Sequence, residues 1–195
     1  MNPSAFCGGI FRRGFYVMEI KENCLYFVKD EFFDIVRDPF LKQNKENTLR
    51  PHYFPFVDEK TGLYWLIPCS SRIEKYKNII ETKKSQNKPH NHIQIIKVSG
   101  KEEVFLFQDM FPILPQYIDK PYQNKYGIFE IKDKKLIENI NENAHKIINL
   151  LERKVKFTST QADINRIKEI MLSELNEGIE ETEDMNETND FDLHM

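Results

Sequence analysis

Apolar positions between Arg50 and Lys77 fall into two strand-like runs around one polar turn, RPHYFPFVDEKTGLYWLIPCSSRIEKYK. Residues 53–57 are aromatic and β-branched, residues 58–62 (DEKTG) are polar with a late glycine, and residues 63–68 are apolar again. That pattern predicts a β-hairpin with a loop of several residues. Proline cannot donate to a ladder, so the second strand is expected to end near Pro68. Ser70, Ser71 and Arg72 then stand at a strand end, a rigid place where binding and catalytic groups often sit. Pairing in register brings Arg50 and His52, which open the first strand, beside them, with no carboxylate until Glu74. A purely structural reading competes: Ser71 with Glu74 three residues on fits a capping box at a helix start.

The rest of the chain reads as follows. Residues 15–20 (FYVMEI) predict a first strand. Leu25, Phe27, Val28, Phe32, Ile35 and Val36 fit a helical face better than a strand, giving a short helix or two ended by Asp38-Pro39. Residues 42–48 are polar and lysine-bearing, a loop. Residues 72–84 predict a helix with Ile73, Tyr76, Ile79 and Ile80 on one face and Lys75, Lys77, Lys83 and Lys84 elsewhere around it. Residues 85–91 form a loop, and 92–98 and 104–107 a second hairpin around a turn at 99–102. Residues 111–115, apolar and proline-marked, suit a short edge strand. A loop over 121–129 precedes one long amphipathic helix over 133–154, where Leu136, Ile140, Ala144, Ile147, Ile148 and Leu151 recur at helical spacing. Residues 158–161 (TSTQ) can cap a last helix with Ile164, Ile167, Ile170 and Met171 on one side. Strands early and helices late give an α+β domain on a compact, strongly twisted, mainly antiparallel sheet.

Charge divides the chain. Glu174 to Met195 carries nine of the 31 acids and no Lys or Arg, leaving 22 acids against 28 bases, a net of +6, over residues 1–173. A basic body suits a polyanionic partner such as nucleic acid, although moderately basic domains are common without one. The organisation expected is a loose extension over 1–14, a domain over 15–173 and an acidic, disordered tail over 174–195. No apolar run approaches the length of a membrane span, no secretory signal pattern opens the chain, and Cys7, Cys24 and Cys69 show no CxxC spacing. A reducing cytoplasm is expected, with no disulfide framework.

Recognised catalytic patterns are missing: there is no P-loop, GxGxxG, HExxH or GxSxG. His90 and His92 flank Asn91, and with His52 they raise a metal site, but no third ligand cluster accompanies them. No metal and no cofactor are therefore expected, and the two histidines read as surface residues or RNA contacts. Cys69, beside Ser70, is a candidate thiol or a small buried hydrophobe.

The order of these segments resembles the ToxN/AbiQ family, endoribonuclease toxins of bacterial type III toxin–antitoxin systems. The matching pieces are FYVMEI, EFFDIV, RPHYFPFV, LYWLIPCSSRIEK, LFQDMFPIL and LIENINENAHKIINLLE, from about Phe15 to Lys154. The resemblance implies a metal-independent RNase with a MazF/Kid-like core. It also implies a small repetitive RNA antitoxin, folded as a pseudoknot in a basic groove, often in a closed ring of alternating protein and RNA. Ser70 and Ser71 match the family's Thr/Ser-Ser pair, Arg50 the basic residue opening the second strand, and Tyr26, after a one-residue shift, an early active-site tyrosine. The family's lysine two places after the second hydroxyl is missing, since Ile73 stands there; Arg72 and Lys75 are the nearby cations.

RNA carries its own nucleophile, the 2′-hydroxyl. Cleavage by its attack needs in-line geometry, proton transfer and cations for the developing charge, but neither a protein nucleophile nor a metal. The residues predicted to act are Ser70, Ser71, Arg50, Lys75 and Tyr26, with Arg72, His52, Lys77, Lys83, Lys84, Lys88, His90 and His92 binding RNA. His52 is also a candidate acid or base, its ordinary pKa being near 6.5. The expected partner is RNA, as substrate and antitoxin, with no DNA and no membrane. Two rivals stand beside this reading: a non-catalytic RNA- or protein-binding module, and a small hydrolase using Cys69.

Overall fold

The structure, a computed structural model, describes residues 19–44, 48–98 and 100–191. Its centre is the predicted hairpin. Strand β2 (His52–Val57) pairs with β3 (Tyr64–Ser70), and the turn between them closes on Gly62 at φ +70°, a conformation glycine adopts without a Cβ penalty. Pro55 lies inside β2, but at a register shift between Tyr53 and Phe56, where a missing N–H costs the ladder nothing.

Strand β3 runs past Pro68 to Ser70, two residues beyond the expected end. The reason is the direction of the proline nitrogen. Cys69 N donates to Pro51 O at 3.0 Å, so the neighbouring Pro68 nitrogen faces the other edge of the strand. On that edge β3 changes partner. Strand β6 (Phe111–Ile113) pairs with Tyr64–Leu66, and β5 (Lys101–Leu106) pairs with Cys69 and Ser70. A 3-10 turn over Phe107–Asp109 joins the two, so Pro68 faces a gap in the ladder.

Residues 23–36 are not one helical stretch. Cys24–Val28 is a strand, β1, and only Asp30–Val36 is helix, α1. The strand is an unbroken apolar run, buried on both faces between β2 and β7 (Ile118–Pro121), so it carries no alternation to distinguish it from a buried helix. Most of FYVMEI and the whole of 1–14 lie outside the described residues. The sheet order is β4-β5-β3-β2-β1-β7, with β4 (Ile93–Val98) at one edge and β6 beside β3. Every pairing among the described residues is antiparallel. A small ribbon of β8 (Gln123–Asn124) and β9 (Gly127–Ile128) occupies the expected loop.

Helices cover both faces. On one, α2 (Ile73–Ser85) lays Ile73, Tyr76, Ile79 and Ile80 against Ile93, Ile95, Val104 and Leu106 of the β4–β5 hairpin. Phe105 and Ile96, on the opposite face of that hairpin, join the main core with α3 (Lys134–Glu152), as period-2 alternation requires. Phe32 of α1 stacks on Phe111 at 5.1 Å and fixes α1 against the sheet. Asp133 caps α3 by accepting from Leu136 N at 3.2 Å. The last helix, α4 (Ile164–Phe191), continues through the acidic stretch that composition predicts to be disordered. Glutamate is a strong helix former, and elongating an anchored helix is far easier than nucleating one. Tyr117 also donates to Glu174 Oε2 at 2.5 Å, tying the first acid of that stretch to the body.

Candidate functional site

The open end of the β2–β3 hairpin brings together five of the predicted residues: Arg50, Ser70, Ser71, Arg72 and Lys75. Arg50 is pinned from two directions. Its Nη1 donates to Cys69 O at 2.6 Å, and its backbone N donates to Asn44 Oδ1 at 3.0 Å. Asn44 is itself anchored, with Nδ2 donating to Val28 O and Asp30 Oδ1, each at 2.9 Å. The guanidinium therefore sits at the level of Ser70 with little freedom, which favours a fixed phosphate contact.

The capping box does not form. Helix α2 takes Arg72 as its N-cap, with no side-chain capping bond, and Glu74 reaches Lys77 at 3.5 Å instead of turning back. Ser70 Oγ accepts from Arg72 N at 3.3 Å, and Ser71 is exposed. An uncapped helix N-terminus presents N–H groups and partial positive charge. Hydroxyls, N–H groups and the cations Arg50, Arg72 and Lys75 thus share one rim. Lys75 is exposed, with Nζ 5.5 Å from the Tyr76 ring centroid, whereas Ile73 packs into the α2 cluster. Exposed cations and hydroxyls of this kind can hold a phosphate and stabilise charge growing on it.

Beneath the rim lies a group that the sequence reading missed. Asp109, 6% exposed, points Oδ2 to 3.9 Å from Lys42 Nζ. That oxygen has no hydrogen-bond partner, and neither do Gln108 Oε1 or Arg50 Nε. Burial raises the Asp109 pKa, opposed by the charge of Lys42, a hydrogen bond from Gln108 and the charges of Arg50 and Lys75. The available signal was the Gln108-Asp109 pair interrupting the apolar run from Val104 to Leu114. Nothing in the local sequence marks Lys42.

Other expectations end elsewhere. Tyr26 is not at the rim. Its ring is 2% exposed, edge-on to Phe54, and its hydroxyl donates to Lys21 O at 3.1 Å while accepting from Lys21 N at 2.7 Å. Desolvation pushes the phenol up to about 12, so it stays neutral. His52 is near the rim in sequence but turns inward onto Phe111 at 5.4 Å, fully buried. Burial, with Arg50 close by, lowers its pKa to about 3, and the backbone of Arg50 and Tyr26 opposes this without reaching hydrogen-bond geometry. The ring is turned away from the rim surface and is neutral near pH 7. His92 is likewise buried, against Phe157 at 5.0 Å, its pKa lowered to about 4 by desolvation and the nearby Lys83 and His90 charges. His52 opens β2, a strand buried along its length except at Val57, and His92 lies in the turn just before β4.

Lys77 pairs with Glu102 at 3.0 Å and with Glu74. Lys83 and Lys88 line a surface depression of about 380 Å³ at the far end of α2, with Lys84 exposed and His90 half-buried nearby in the chain. The 13 residues of α2 rise about 20 Å, so this group is a separate patch from the rim. Cys69 is buried, its thiol pushed well up by desolvation, and makes only a 3.9 Å contact to Ile67 O. A neutral, buried thiol is no nucleophile. Among the described residues, no three of His, Cys, Asp and Glu gather to hold a metal ion, and no helix is long and apolar enough to cross a membrane.

No protein-family model matches the chain, and no curated protein matches it. Among solved structures, it is similar to one from work on bacterial type III toxin–antitoxin systems and selective toxin inhibition by a non-coding RNA pseudoknot. That likeness has 16% identity and a TM-score of 0.45, over 76% of this chain and 95% of the other. It is also similar to AbiQ, a lactococcal anti-phage endoribonuclease belonging to the type III toxin–antitoxin system, with 12% identity and a TM-score of 0.43, over 74% of this chain and 93% of that one.

Proposed function

We propose that this chain is an endoribonuclease toxin of the type III kind, acting on cellular RNA in the cytoplasm without a metal, on a core of the MazF/Kid type. A repetitive RNA pseudoknot would inhibit it, in a ring of alternating protein and RNA, with a role in phage defence. The sequence resemblance supplies the type III setting. The observation that carries the chemistry is Arg50, pinned to Cys69 O beside two serines at an uncapped helix start.

In this reading the RNA 2′-oxygen attacks the adjacent phosphorus. The 2′-O–P bond forms, the P–O5′ bond breaks, and the products are a 2′,3′-cyclic phosphate and a 5′-hydroxyl. Ser70 and Ser71, with the N–H groups of Glu74 and Lys75 in the first turn of α2, hold the non-bridging oxygens and orient the 2′-hydroxyl. Arg50 binds the phosphate bidentately, and Arg72 and Lys75 complete the positive field. Neither His52 nor His92 is placed to move protons, so positioning and charge stabilisation carry the catalysis, and protons pass to and from water.

The test is growth after induced expression, wild type beside Ser71→Ala, with total RNA examined from each culture. Growth arrest with RNA ending in cyclic phosphate, both abolished by Ser71→Ala while RNA binding persists, is expected. A second reading, a non-catalytic RNA-binding module, is favoured by Ile73 standing where the family has its lysine. It predicts no arrest and intact RNA.

A further inference from the structure

We infer that Asp109 is a positioning residue that holds Lys42 beside Arg50, beneath the Ser70–Ser71 turn, and that Lys42 supplies the phosphate-facing charge which Ile73 cannot. The inference rests on the endoribonuclease reading and adds two residues to its site.

The first support is placement. The turn Phe107–Asp109 spans the gap where β3 changes partner from β6 to β5, and its polar side chains are buried there. A buried carboxylate in that gap has no role in the ladder. The second is incomplete bonding. Asp109 Oδ2 and Gln108 Oε1 are buried acceptors without partners, and Arg50 Nε is a buried donor without one. Leaving such groups unpaired is costly, so buried polar groups gathered at one site point to a role beyond packing. The third is Lys42 itself. Its ammonium lies 3.9 Å from Asp109, too long for a hydrogen bond but close enough to hold it, and its side chain is 32% exposed. Leu41 is buried, and Asn44 accepts from Arg50 N, so the short segment carrying Lys42 is tied to the same rim as the guanidinium. Arg50 and Lys75 also act on Asp109 through space, opposing with Lys42 and Gln108 the rise that burial gives its pKa.

The experiment uses the full chain, a single-stranded RNA oligonucleotide for cleavage and its 2′-deoxy analogue for binding. Lys42 is half-exposed, so Lys42→Met leaves the fold intact. Its cleavage rate is expected to fall about 100-fold, as for loss of one transition-state contact. Its log-log salt slope for the analogue is expected to shrink by about 0.7, one phosphate contact on a single strand. Lys42→Arg keeps the slope. Asp109→Asn, with its thermal midpoint measured in parallel, is expected to lower the rate at saturating RNA by about tenfold or more through misplaced cations. Affinity for the analogue should hold or improve, because a negative charge has left the site. A packing defect does not produce that split. Wild-type rate and slope in Lys42→Met overturn the inference, as does an Asp109→Asn protein that loses rate and affinity by the same factor. If the wild type cleaves nothing, the endoribonuclease reading fails by itself. The salt slope then decides: a reduced slope in Lys42→Met upholds the placement of Lys42, and an unchanged one overturns it.

Discussion

The two ends of the β2–β3 hairpin differ in how their polar groups are satisfied. At the turn end, Asp58 Oδ1 accepts from Lys60 N at 3.0 Å and Oδ2 from Thr61 Oγ1 at 2.8 Å. Asp58 O takes Gly62 N at 2.7 Å, and Asp58 N donates to Leu63 O at 2.8 Å. At the open end, Arg50 Nε, both nitrogens of His52, Gln108 Oε1 and Asp109 Oδ2 are buried without partners; outside it, the described residues show this only for His92 Nδ1 and Asn141 Oδ1. A native fold seldom tolerates such groups without a reason. The turn end is closed by its own hydrogen bonds, whereas the open end keeps buried polar groups unpaired.

Charge separates the ends in the same direction. The turn end borders a cleft of about 630 Å³ lined by Glu22, Asp58, Glu59 and Glu152 against Lys60 and Lys168. Acids outnumber bases on its rim, which repels a polyanion. The open end, with Lys42, Arg50, Arg72 and Lys75 around the buried Asp109, attracts one.

The largest expected effect falls at the open end. Arg50→Met removes the fixed guanidinium and should lower the RNA cleavage rate by about 100-fold or more, with Arg50→Lys restoring only part because an ammonium lacks the bidentate fork. Single-turnover assays on an oligonucleotide report this directly.

His52 sharpens the contrast through pH. Its folded pKa of about 3 lies below the ordinary 6.5, so the unfolded chain binds the extra proton between those values. Stability therefore rises with pH across that window, and falls by up to about 1.4 kcal/mol per unit on acidification. Urea unfolding at pH 5, 6 and 7 should show this limb in the wild type and a flatter one in His52→Leu. Cleavage by His52→Leu should stay within about threefold of wild type, because the ring takes no part in proton transfer.

At the turn end, Asp58→Ala should cost about 1 kcal/mol of stability through its lost hydrogen bonds, read as a lower urea midpoint, with cleavage unchanged. A loss of cleavage there would erase the distinction between the two ends. The smallest effect is expected at Lys77, already paired with Glu102 and Glu74. Lys77→Ala should leave RNA affinity within about twofold.

Much of this was legible before the fold was seen. The hairpin, the partnership of Arg50 with the serines and the helix after them follow from alternation and turn chemistry between Arg50 and Lys77. The inward placement of Tyr26 and His52 carries no sequence signal: residues 24–28 are apolar throughout and β2 is buried along most of its length, so no period fixes which way their side chains point. Asp109 and Lys42 reach the site through a change of strand partner and a loop anchored by Asn44, both tertiary events without a local signature.

The most direct measurement is the chemistry of the cut ends. Purified protein is incubated with single-stranded RNA, with and without EDTA, and the termini are mapped. The account predicts 2′,3′-cyclic phosphate and 5′-hydroxyl ends, formed at equal rates with and without the chelator and missing with Ser71→Ala. Ends bearing a 5′-phosphate, or cleavage that stops in EDTA, would contradict it.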